Sequence, residues 1–583
     1  MDERVVNFKI IRNIILILAV VLVGWSIRLQ IVEGKKYSRL SEENRIRRIF
    51  NPAPRGRILD RNGVEVANTR PGFYVSVVRA TIDDETLSAL SKILGMSIQD
   101  IVEKSKIEKN VYNPVKIAHD ISYEQLSMIE EKIDLFNGVE VGVEPLRHYP
   151  YNDLLFHLVG FVGEITCEEI EGDPGYVLGD YIGKMGVERY YEKILKGTHG
   201  IEYVEVDAKG KEVGKIAEKR SVPPTPGVDV NITIDIALTE SISVYLRDFK
   251  KAACVCLDPK NGAVLALYSK PSFDPNLFIH GLNSEEWNTL LTDPSAPMYN
   301  RVTMSCYPPG STFKTFIALA ALDSRMSVKE KRFEPCLGLY RLGRRDFKCW
   351  KRHGSLDLIN AIVYSCDVYF YQLGRSIGID TIADRASRFG FGKRTGIDLH
   401  NEKTGNLPGR SWFEKRYGLN WTQGHIFNLS IGQGDLLVTP LQLACAYSLF
   451  VNDGKIPMPH VIGRNDTTYF ATNISTEAIE TVKKALIGVV ERGTAMTARI
   501  PGIPVCGKTG TSQNPHGDDH ALFAGYAPVD DPQILVCLLV ENAGHGGSVA
   551  APITRRIIEA YLNSHDHADS LASAPSRSNV QED

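Results

Sequence analysis

A serine and a lysine in the segment YPPGSTFK, residues 307–314, have a spacing that could support nucleophilic catalysis. Ser311 and Lys314 are three residues apart, so on a helix both side chains lie on one face. The prolines and the glycine before Ser311 predict that it lies at a helix N-terminus, where free N–H groups favour a developing oxyanion. A serine hydroxyl needs a base to become a good nucleophile, and a desolvated lysine beside another cation can be that base. Alone the pair is weak evidence, because a capped helix with a solvated lysine has the same pattern.

Two later segments make this chemistry specific. Ser365 and Asp367 lie in the helical run VYSCDVYFYQLG, and Lys508 begins a Lys-Thr-Gly triplet on a predicted strand. Such a triplet is expected by chance only ~0.1 times in a chain of this length. The order Ser-x-x-Lys, Ser-x-Asp/Asn, Lys-Thr-Gly is the signature of penicillin-binding and β-lactam-recognising serine acyltransferases.

Four soft metal ligands form a second chemical signal. Cys336, Cys349, His353 and Cys366 follow the pattern C-x12-C-x3-H-x12-C. Three thiolates and one imidazole suit a closed tetrahedral zinc site, and Cys349 and His353 would meet if their stretch is helical. A metal there would brace the active-site helix, because Cys366 lies inside the second motif. The alternatives are a disulfide among these cysteines, unrelated buried thiols, or Asp346 in place of one ligand.

The composition excludes several classes of protein. Of 583 residues, 43% are apolar and 23% are charged, so the chain is neither disordered throughout nor fibrous. Lys and Arg number 67 against 70 Asp and Glu, so no positive excess indicates nucleic acid as a partner. Ten cysteines are too sparse for a small secreted domain held together by disulfides.

The N-terminal region predicts a membrane anchor. Residues 14–27, IILILAVVLVGWSI, carry no charge, and apolar flanks extend the candidate helix to residues 8–32. No small-x-small cleavage motif follows, which favours a retained anchor over a cleaved signal peptide. A buried core helix is the other alternative. Basic residues stand on both sides of the span, so charge alone does not set the topology.

The elements that must position the motifs fall into distinct regions. Towards the N-terminal side short β-type runs alternate with helical periodicity, up to a Pro-rich linker at 221–227. Residues 252–258 and 263–269 predict a hairpin around the turn PKNG. Residues 312–451 are helix-rich, and strand candidates return near the C-terminal end. The pattern predicts an antiparallel sheet built from distant strands, with a helical block inserted between them.

Beyond these motifs, the chain resembles class B penicillin-binding proteins of the elongation type over nearly its whole length. The matching segments include APRGRILDRNGVEVA (53–67), RHYPYNDLLFHLVGFVG (147–163), GKMGVERYYEKILKGTHG (183–200) and IGQGDLLVTPLQ (431–442). One departure from the broader family is Asp367, where Asn is usual, although similar elongation enzymes have Asp here. We expect its carboxylate to lie near two lysines, which favour the ionised form.

The resemblance implies an α+β multidomain fold. It comprises an N-terminal membrane helix, an elongated α+β pedestal of the dimerisation type, and a serine β-lactamase-like transpeptidase domain with an antiparallel sheet flanked by helices. We expect a cytoplasmic stub and transmembrane anchor at 1–35, the pedestal at 36–225 and the transpeptidase domain at 226–563. Residues 564–583 are rich in Ser, Ala and Asp and are expected to form a disordered tail.

The resemblance also implies a serine-type D-Ala-D-Ala transpeptidase or carboxypeptidase mechanism that needs no cofactor. Ser311 attacks the carbonyl between the terminal D-alanines of a peptidoglycan stem peptide, Lys314 takes its proton, and Ser365 relays a proton to the leaving amine. Asp367 orients Lys314, while Lys508 keeps Lys314 neutral and attracts the terminal carboxylate. The substrate-binding residues are Thr509, Gly510 and Thr511, with the N–H groups of Ser311 and Thr511 as the oxyanion hole. Some relatives carry zinc where this chain has its Cys/His cluster.

The partners that the resemblance implies are stem peptides, β-lactam antibiotics and the elongation complex that maintains cell shape. Because no glycan-polymerising motif is evident, a RodA-like SEDS glycosyltransferase is expected to supply the glycan. The implied location is the inner membrane, with a single span and the catalytic domain in the periplasm. Two alternatives stay open: a β-lactamase or D,D-carboxypeptidase that uses water as acceptor, and a non-catalytic membrane-bound β-lactam sensor. The pedestal argues against a free hydrolase, and the intact motifs argue against a sensor.

Overall fold

The chain forms two compact units, each assembled from separate segments. The computed structural model describes residues 3–37, 46–107, 110–172, 176, 179–206, 212–215, 221–282, 284–324 and 331–572. The first unit comprises Met1–Arg55, Thr69–Leu146 and Lys196–Gly227, and the second comprises Gly56–Asn68, Arg147–Leu195 and Val228–Asp583. Two stretches of the segment 36–225, which the sequence predicts as the pedestal, fall in the second unit.

The chain begins with a long apolar helix. It spans Glu3–Ile27 and continues as one π-helical turn, Arg28–Val32. Within the described residues, Ile10–Val32 is the one stretch long and apolar enough to cross a membrane, and none of it is buried. A helix that shows its apolar side chains on every face is stable only in an apolar environment, so this element fits the predicted single-pass anchor.

The first unit combines short helices with two sheets. One sheet has the antiparallel strand order Ile46–Asn51, Gly200–Val206, Glu212–Lys215. The other is formed by the 69–78 part of Glu65–Val78, with Pro114–Ala118 and Val139–His148. The helices are Asp84–Leu94, Ile98–Ser105 and Tyr123–Glu130. Each begins after an Asp or Ser whose side chain accepts a backbone N–H of the first turn, which satisfies an otherwise free donor. The alternation of short strands and helices predicted for this part of the chain is confirmed.

The second unit is built on a five-stranded antiparallel sheet. Its spatial order is Val264–Lys270, Ala252–Leu257, Ile534–Val540, His520–Ala527, Cys506–Ser512. The predicted hairpin and the distant C-terminal strands are thus confirmed as one sheet. The central strands are continuous apolar runs with every residue buried, which requires cover on both faces. Cys506–Ser512, which we call the edge strand, carries the Lys-Thr-Gly triplet.

Helices cover this sheet and fill the sequence between its hairpin and its last three strands. Ile236–Tyr245 and Ala550–Ala572 pack on the sheet and on each other, and Pro440–Tyr447 and Thr476–Arg492 also contact it. The other helices of the unit are Phe156–Val159, Cys167–Gly172, Gly186–Tyr190, Glu192–Leu195, Asn276–His280, Ser284–Thr292, Lys314–Asp323, Leu358–Val363, Asp367–Ile377, Ile379–Arg388, Arg410–Tyr417 and Gln423–Ser430. Short strand pairs are Ile58–Leu59 with Val230–Asn231, Val162–Glu164 with Tyr181–Gly183, Leu339–Leu342 with Arg345–Lys348, and Lys455–Pro457 with Tyr469–Ala471. The predicted helical block and the α+β class are confirmed.

The C-terminal helix differs from the sequence-based expectation. A disordered tail was expected from Ser564, but the helix continues to Ala572. The prediction of disorder rests on composition alone, whereas an established helix can extend into such a stretch because propagation needs no new nucleus. Residues 573–583 lie outside the described residues.

Candidate active site

Ser311 lies in a tight turn at the start of a buried helix. The turn, Gly310–Phe313, is a 3₁₀ helix that runs directly into the α-helix Lys314–Asp323, so the predicted helix start is confirmed in 3₁₀ form. We call Gly310–Phe313 the nucleophile turn. Gly310 has φ 54°, and a Cβ there would lie 2.5 Å from the carbonyl oxygen of Thr511. Only glycine therefore lets the turn lie this close to the edge strand.

A second glycine packs against the nucleophile turn from the IGQG segment. The N–H of Gly310 donates to the carbonyl of Gly432 at 2.8 Å. Gly432 has φ 72°, and a Cβ on it would lie 2.1 Å from the carbonyl oxygen of Gly310. Next to it, Gln433 donates from Nε2 to the carbonyl of Thr511 at 2.8 Å and accepts from the N–H of Gln513 at 3.3 Å. The IGQG segment thus contacts the turn through the backbone of Gly432 and the edge strand through the side-chain amide of Gln433.

Lys314 joins the first two motifs. Its side chain is fully buried, and Nζ lies 2.8 Å from the carbonyl oxygen of Ser365, 3.1 Å from Ser365 Oγ and 2.6 Å from Asp367 Oδ1. A carbonyl and a carboxylate can only accept hydrogen bonds. If the amine is neutral, these two acceptors take both of its N–H groups, and its lone pair is left for a hydroxyl. The arrangement therefore suits a base in a serine reaction.

Ser365 occupies a strained position between two helices. It lies between Leu358–Val363 and Asp367–Ile377 with φ 54°, a conformation that costs a non-glycine residue about 1–3 kcal/mol. Its N–H donates to the carbonyl of Ile362 at 3.1 Å, and its carbonyl accepts from Lys314. The break between the helices turns both Oγ and the carbonyl of Ser365 towards Lys314.

Lys508 brings the third motif to the same place. It is fully buried on the edge strand, and Nζ donates to the carbonyl of Thr509 at 3.2 Å. Burial lowers the pKa of Lys508 well below its usual value, the positive charge of Lys314 lowers it further, and Asp367 acts in the opposite direction. The sequence predicts that Lys508 acts on Lys314, whereas the effect resolved in the structure is that of Lys314 on Lys508. Thr509 Oγ1 lies 2.7 Å from Thr494 Oγ1, which holds the Thr509 hydroxyl in place.

The electrostatics of Asp367 differ from the expectation. The sequence predicts that nearby lysines favour its ionised form. In the structure Lys314 lowers the pKa of Asp367 as predicted, but burial raises it by more, so the net shift is upward. The prediction weighed the charges and left out the desolvation of the carboxyl group.

The four Cys and His residues meet beside the second motif. One ligand atom from each of Cys336, Cys349, His353 and Cys366 lies within 4.8 Å of all the others. His353 Nδ1 is 3.5 Å from Cys349 Sγ and 3.7 Å from Cys336 Sγ. Residues 349–353 form a loop, so the pair does not meet on a helix as predicted. The three thiols are free in the structure, which disfavours a disulfide.

Asp346 does not replace any ligand of this cluster. It lies in the hairpin beside it and forms an exposed ion pair with Arg341 at 2.7 Å. The quartet itself fits zinc, since Zn–S bonds of about 2.3 Å and tetrahedral angles place ligand atoms roughly 3.5–4 Å apart. Cys349 Sγ also accepts the N–H of Asp367 at 3.3 Å, which links the cluster to the helix Asp367–Ile377.

The sequence reasoning missed residues that act through the backbone. Gly432 and Gln433 were noted only as part of a matching segment, and Thr494 and Trp350 were not singled out. Trp350 donates its indole N–H to the carbonyls next to the second motif. The glycine and the amide in IGQG could have suggested a close approach and a polar bridge, but nothing in the pattern gives their partners.

Comparisons with known proteins cover nearly the whole chain. Residues 252–559 match the penicillin binding protein transpeptidase domain and residues 50–232 match the penicillin-binding protein dimerisation domain. The peptidoglycan D,D-transpeptidase MrdA of Haemophilus influenzae is 36% identical over 94% of this chain and 90% of the relative. The PBP2 of Helicobacter pylori, solved in complex with MreC, is similar with a TM-score of 0.81 and 26% identity, over 89% of this chain and 100% of that chain. A chain from a peptidoglycan synthase complex that coordinates polymerization and crosslinking has a TM-score of 0.72 and 28% identity, over 96% of this chain and 98% of that chain.

Proposed function

The chain belongs to the class B penicillin-binding proteins of the PBP2 type and is a serine D,D-transpeptidase that crosslinks peptidoglycan in cell-wall elongation, and on this premise we propose that Ser311 is its nucleophile. The family acts without a cofactor. Full-length similarity to a D,D-transpeptidase favours this activity over the free hydrolase and the sensor. The observation that carries the assignment is the buried Lys314 amine, which contacts both Ser365 and Asp367 one turn after Ser311.

Acylation proceeds in one balanced exchange. Lys314 in its neutral form accepts the Ser311 proton while Oγ forms a bond to the carbonyl carbon between the two terminal D-alanines. The oxyanion lies at the N–H groups of Ser311 and Thr511. The C–N bond then breaks, and the proton passes through the Ser365 hydroxyl to the departing D-alanine amine. The product is a serine ester of the donor peptide.

Deacylation transfers the donor peptide to an amine of a second stem peptide. That amine attacks the ester carbon, loses a proton to the same Ser365–Lys314 pair, and restores the Ser311 hydroxyl as the amide crosslink forms. Lys508 and the edge-strand residues Thr509, Gly510 and Thr511 bind the terminal carboxylate of the donor through hydrogen bonds. Asp367 positions the Lys314 amine through the 2.6 Å contact.

The nucleophile is tested by covalent labelling of the full chain with a fluorescent penicillin, followed by peptide mass spectrometry. We expect Ser311→Ala to abolish labelling and the wild-type adduct to map to the Ser311 peptide. Ser324→Ala is the matched control, because Ser324 caps the same helix with a local hydrogen bond to Ala321 and lies after its last turn. Labelling of Ser311→Ala at the wild-type level would refute the assignment.

We propose further that Cys336, Cys349, His353 and Cys366 hold a structural zinc ion. Support comes from the ligand atoms, which all lie within 4.8 Å of one another, and from the donor set, which zinc prefers. The ion would supply no chemistry to the reaction; its ligands would fix the loop at 349–353 against the helix Asp367–Ile377. We expect close to one zinc per purified chain, lost in Cys336→Ser and retained in Cys445→Ser, whose buried thiol lies outside the cluster. Less than about 0.2 zinc per wild-type chain would end this proposal.

We propose that the partners are an MreC-like scaffold and a RodA-like SEDS glycosyltransferase, with the catalytic unit in the periplasm. Support comes from similarity to a PBP2 solved with MreC and to a chain from a polymerizing and crosslinking synthase complex. The apolar helix at Ile10–Val32 fits the anchor that a membrane assembly needs. We expect detergent-solubilised full chain to co-purify with the polymerase, and a cysteine introduced at exposed Tyr469 to react with an impermeant thiol reagent in cells. Protection of that cysteine would contradict the periplasmic placement.

A further inference from the structure

Trp350 combines an exposed ring with an anchored N–H group. Its exposed fraction is 60%, which is high for a tryptophan. Its indole Nε1 nevertheless donates to the carbonyl oxygens of Tyr364 at 3.2 Å and Ser365 at 3.3 Å. An exposed indole could give its N–H to water at no cost in packing. The two carbonyl contacts therefore define a specific position for this side chain at the second motif.

The Ser365 carbonyl is shared between Trp350 and Lys314. Lys314 Nζ donates to the same oxygen at 2.8 Å, and a carbonyl oxygen has two lone pairs. Both are therefore used, one by the base and one by the indole. The peptide group they hold belongs to a residue with φ 54°, which the chain adopts only when its surroundings enforce it.

We propose that Trp350 is a positioning residue of the transpeptidase, which fixes the Ser365 carbonyl so that the Lys314 lone pair is directed at the reacting hydroxyls. This inference rests on the proposed roles of Ser311, Lys314 and Ser365. If the Ser365 peptide rotates, the acceptor for one Lys314 N–H moves, and the lone pair turns with it. Trp350 touches neither substrate nor nucleophile in this role, and it acts through the carbonyl alone.

The ring and the N–H of Trp350 can be separated experimentally. The ring also meets the His353 ring edge-on, with centroids 5.2 Å apart, so removing it alters packing as well as hydrogen bonding. Replacing Trp350 with β-(3-benzothienyl)alanine by codon suppression keeps the size and shape but puts sulfur in place of N–H. Trp350→Phe keeps an aromatic ring and also loses the donor. Trp287→Phe is the matched control, because Trp287 is exposed and contacts Phe278 at 6.0 Å in the same unit.

The test measures acylation of the detergent-solubilised full chain by a fluorescent penicillin over a range of concentrations. The limiting acylation rate and the apparent Kd are read separately, with thermal unfolding and zinc content as checks on structure. Loss of one hydrogen bond predicts a limiting rate about two- to tenfold lower in both Trp350 variants. We expect an unchanged Kd, an unchanged unfolding midpoint in the benzothienyl variant, and no effect of Trp287→Phe.

Two results would overturn the inference. A wild-type limiting rate in the benzothienyl variant would show that the N–H has no role. A raised Kd with a wild-type limiting rate would show that Trp350 contacts the bound penicillin instead. In both cases Ser311→Ala stays unlabelled. Failure of the proposed nucleophile is a different result, because Ser311→Ala would then be labelled with any residue at position 350.

Discussion

Replacing Gly432 with alanine perturbs the nucleophile turn without touching any motif residue. Its φ of 72° costs an alanine about 1–2 kcal/mol. The new Cβ would also lie 2.1 Å from the carbonyl oxygen of Gly310, so backbone must shift, and such overpacking costs about 1–3 kcal/mol more. The atoms that must move are backbone atoms of Gly310, the residue directly before Ser311. A misplacement of about 1 Å at a reacting group can lower a rate roughly 100-fold.

The matched control is Gly502→Ala in the same unit. Gly502 has φ 80°, but a Cβ there would meet nothing within 4 Å, so it carries the backbone cost alone. We expect both variants to lose stability in urea unfolding, Gly432→Ala by about 1–3 kcal/mol more. Penicillin acylation is expected to fall roughly 10- to 100-fold in Gly432→Ala only. A folded Gly432→Ala protein that is acylated at the wild-type rate would refute the claim that this contact sets the nucleophile turn.

Three further perturbations test the buried charges of the second unit. Burial and Lys314 lower the pKa of Lys508, so between that lowered pKa and the usual 10.5 the unfolded chain binds a proton that the folded chain lacks. The free energy of unfolding in urea should therefore rise with pH across this window, and Lys508→Met should remove the rise. Arg147 Nε donates to Glu188 at 2.5 Å, and both side chains are almost fully buried. Arg147→Met should lower the free energy of unfolding by about 3–5 kcal/mol, because it leaves the Glu188 charge unpaired, and adding Glu188→Leu should recover most of this loss. An equal loss in the double variant would contradict this reasoning. Asp398 accepts hydrogen bonds from the N–H of Val461 through one oxygen and from the Tyr191 hydroxyl through the other. In Asp398→Asn the side-chain NH2 group replaces one of these acceptors and faces a hydrogen-bond donor. We expect the free energy of unfolding to fall by about 1–3 kcal/mol, and no change would show that the site relaxes.

The contact between the first two motifs was the most predictable part of the candidate active site. Lys314 and Ser365 belong to short motifs whose chemistry requires them to meet, and the structure places Lys314 Nζ 3.1 Å from Ser365 Oγ. The sheet was predictable for a related reason, since continuous apolar runs such as Ile534–Val540 must be buried on both faces.

What could not be predicted depends on three-dimensional surroundings. The pKa of Asp367 follows from how deeply it is buried, and no sequence pattern reports this depth. Trp350 and Gln433 act on carbonyl groups of distant residues, and any side chain with an N–H could do so from any position. The Cys/His cluster lies between these cases: its ligands were predicted from their types, but a loop rather than a helix brings Cys349 to His353.

The interleaved segments of the two units have a consequence for recombinant work. The polypeptide passes from one unit to the other after residues 55, 68, 146, 195 and 227. An expression fragment starting at Val228 would leave Val230–Asn231 without the parallel strand Ile58–Leu59, and Phe278 without the rings of Phe156 and Phe161. No single cut or terminal truncation can yield the intact second unit, which would need a redesigned gene that rejoins its three segments through new linkers.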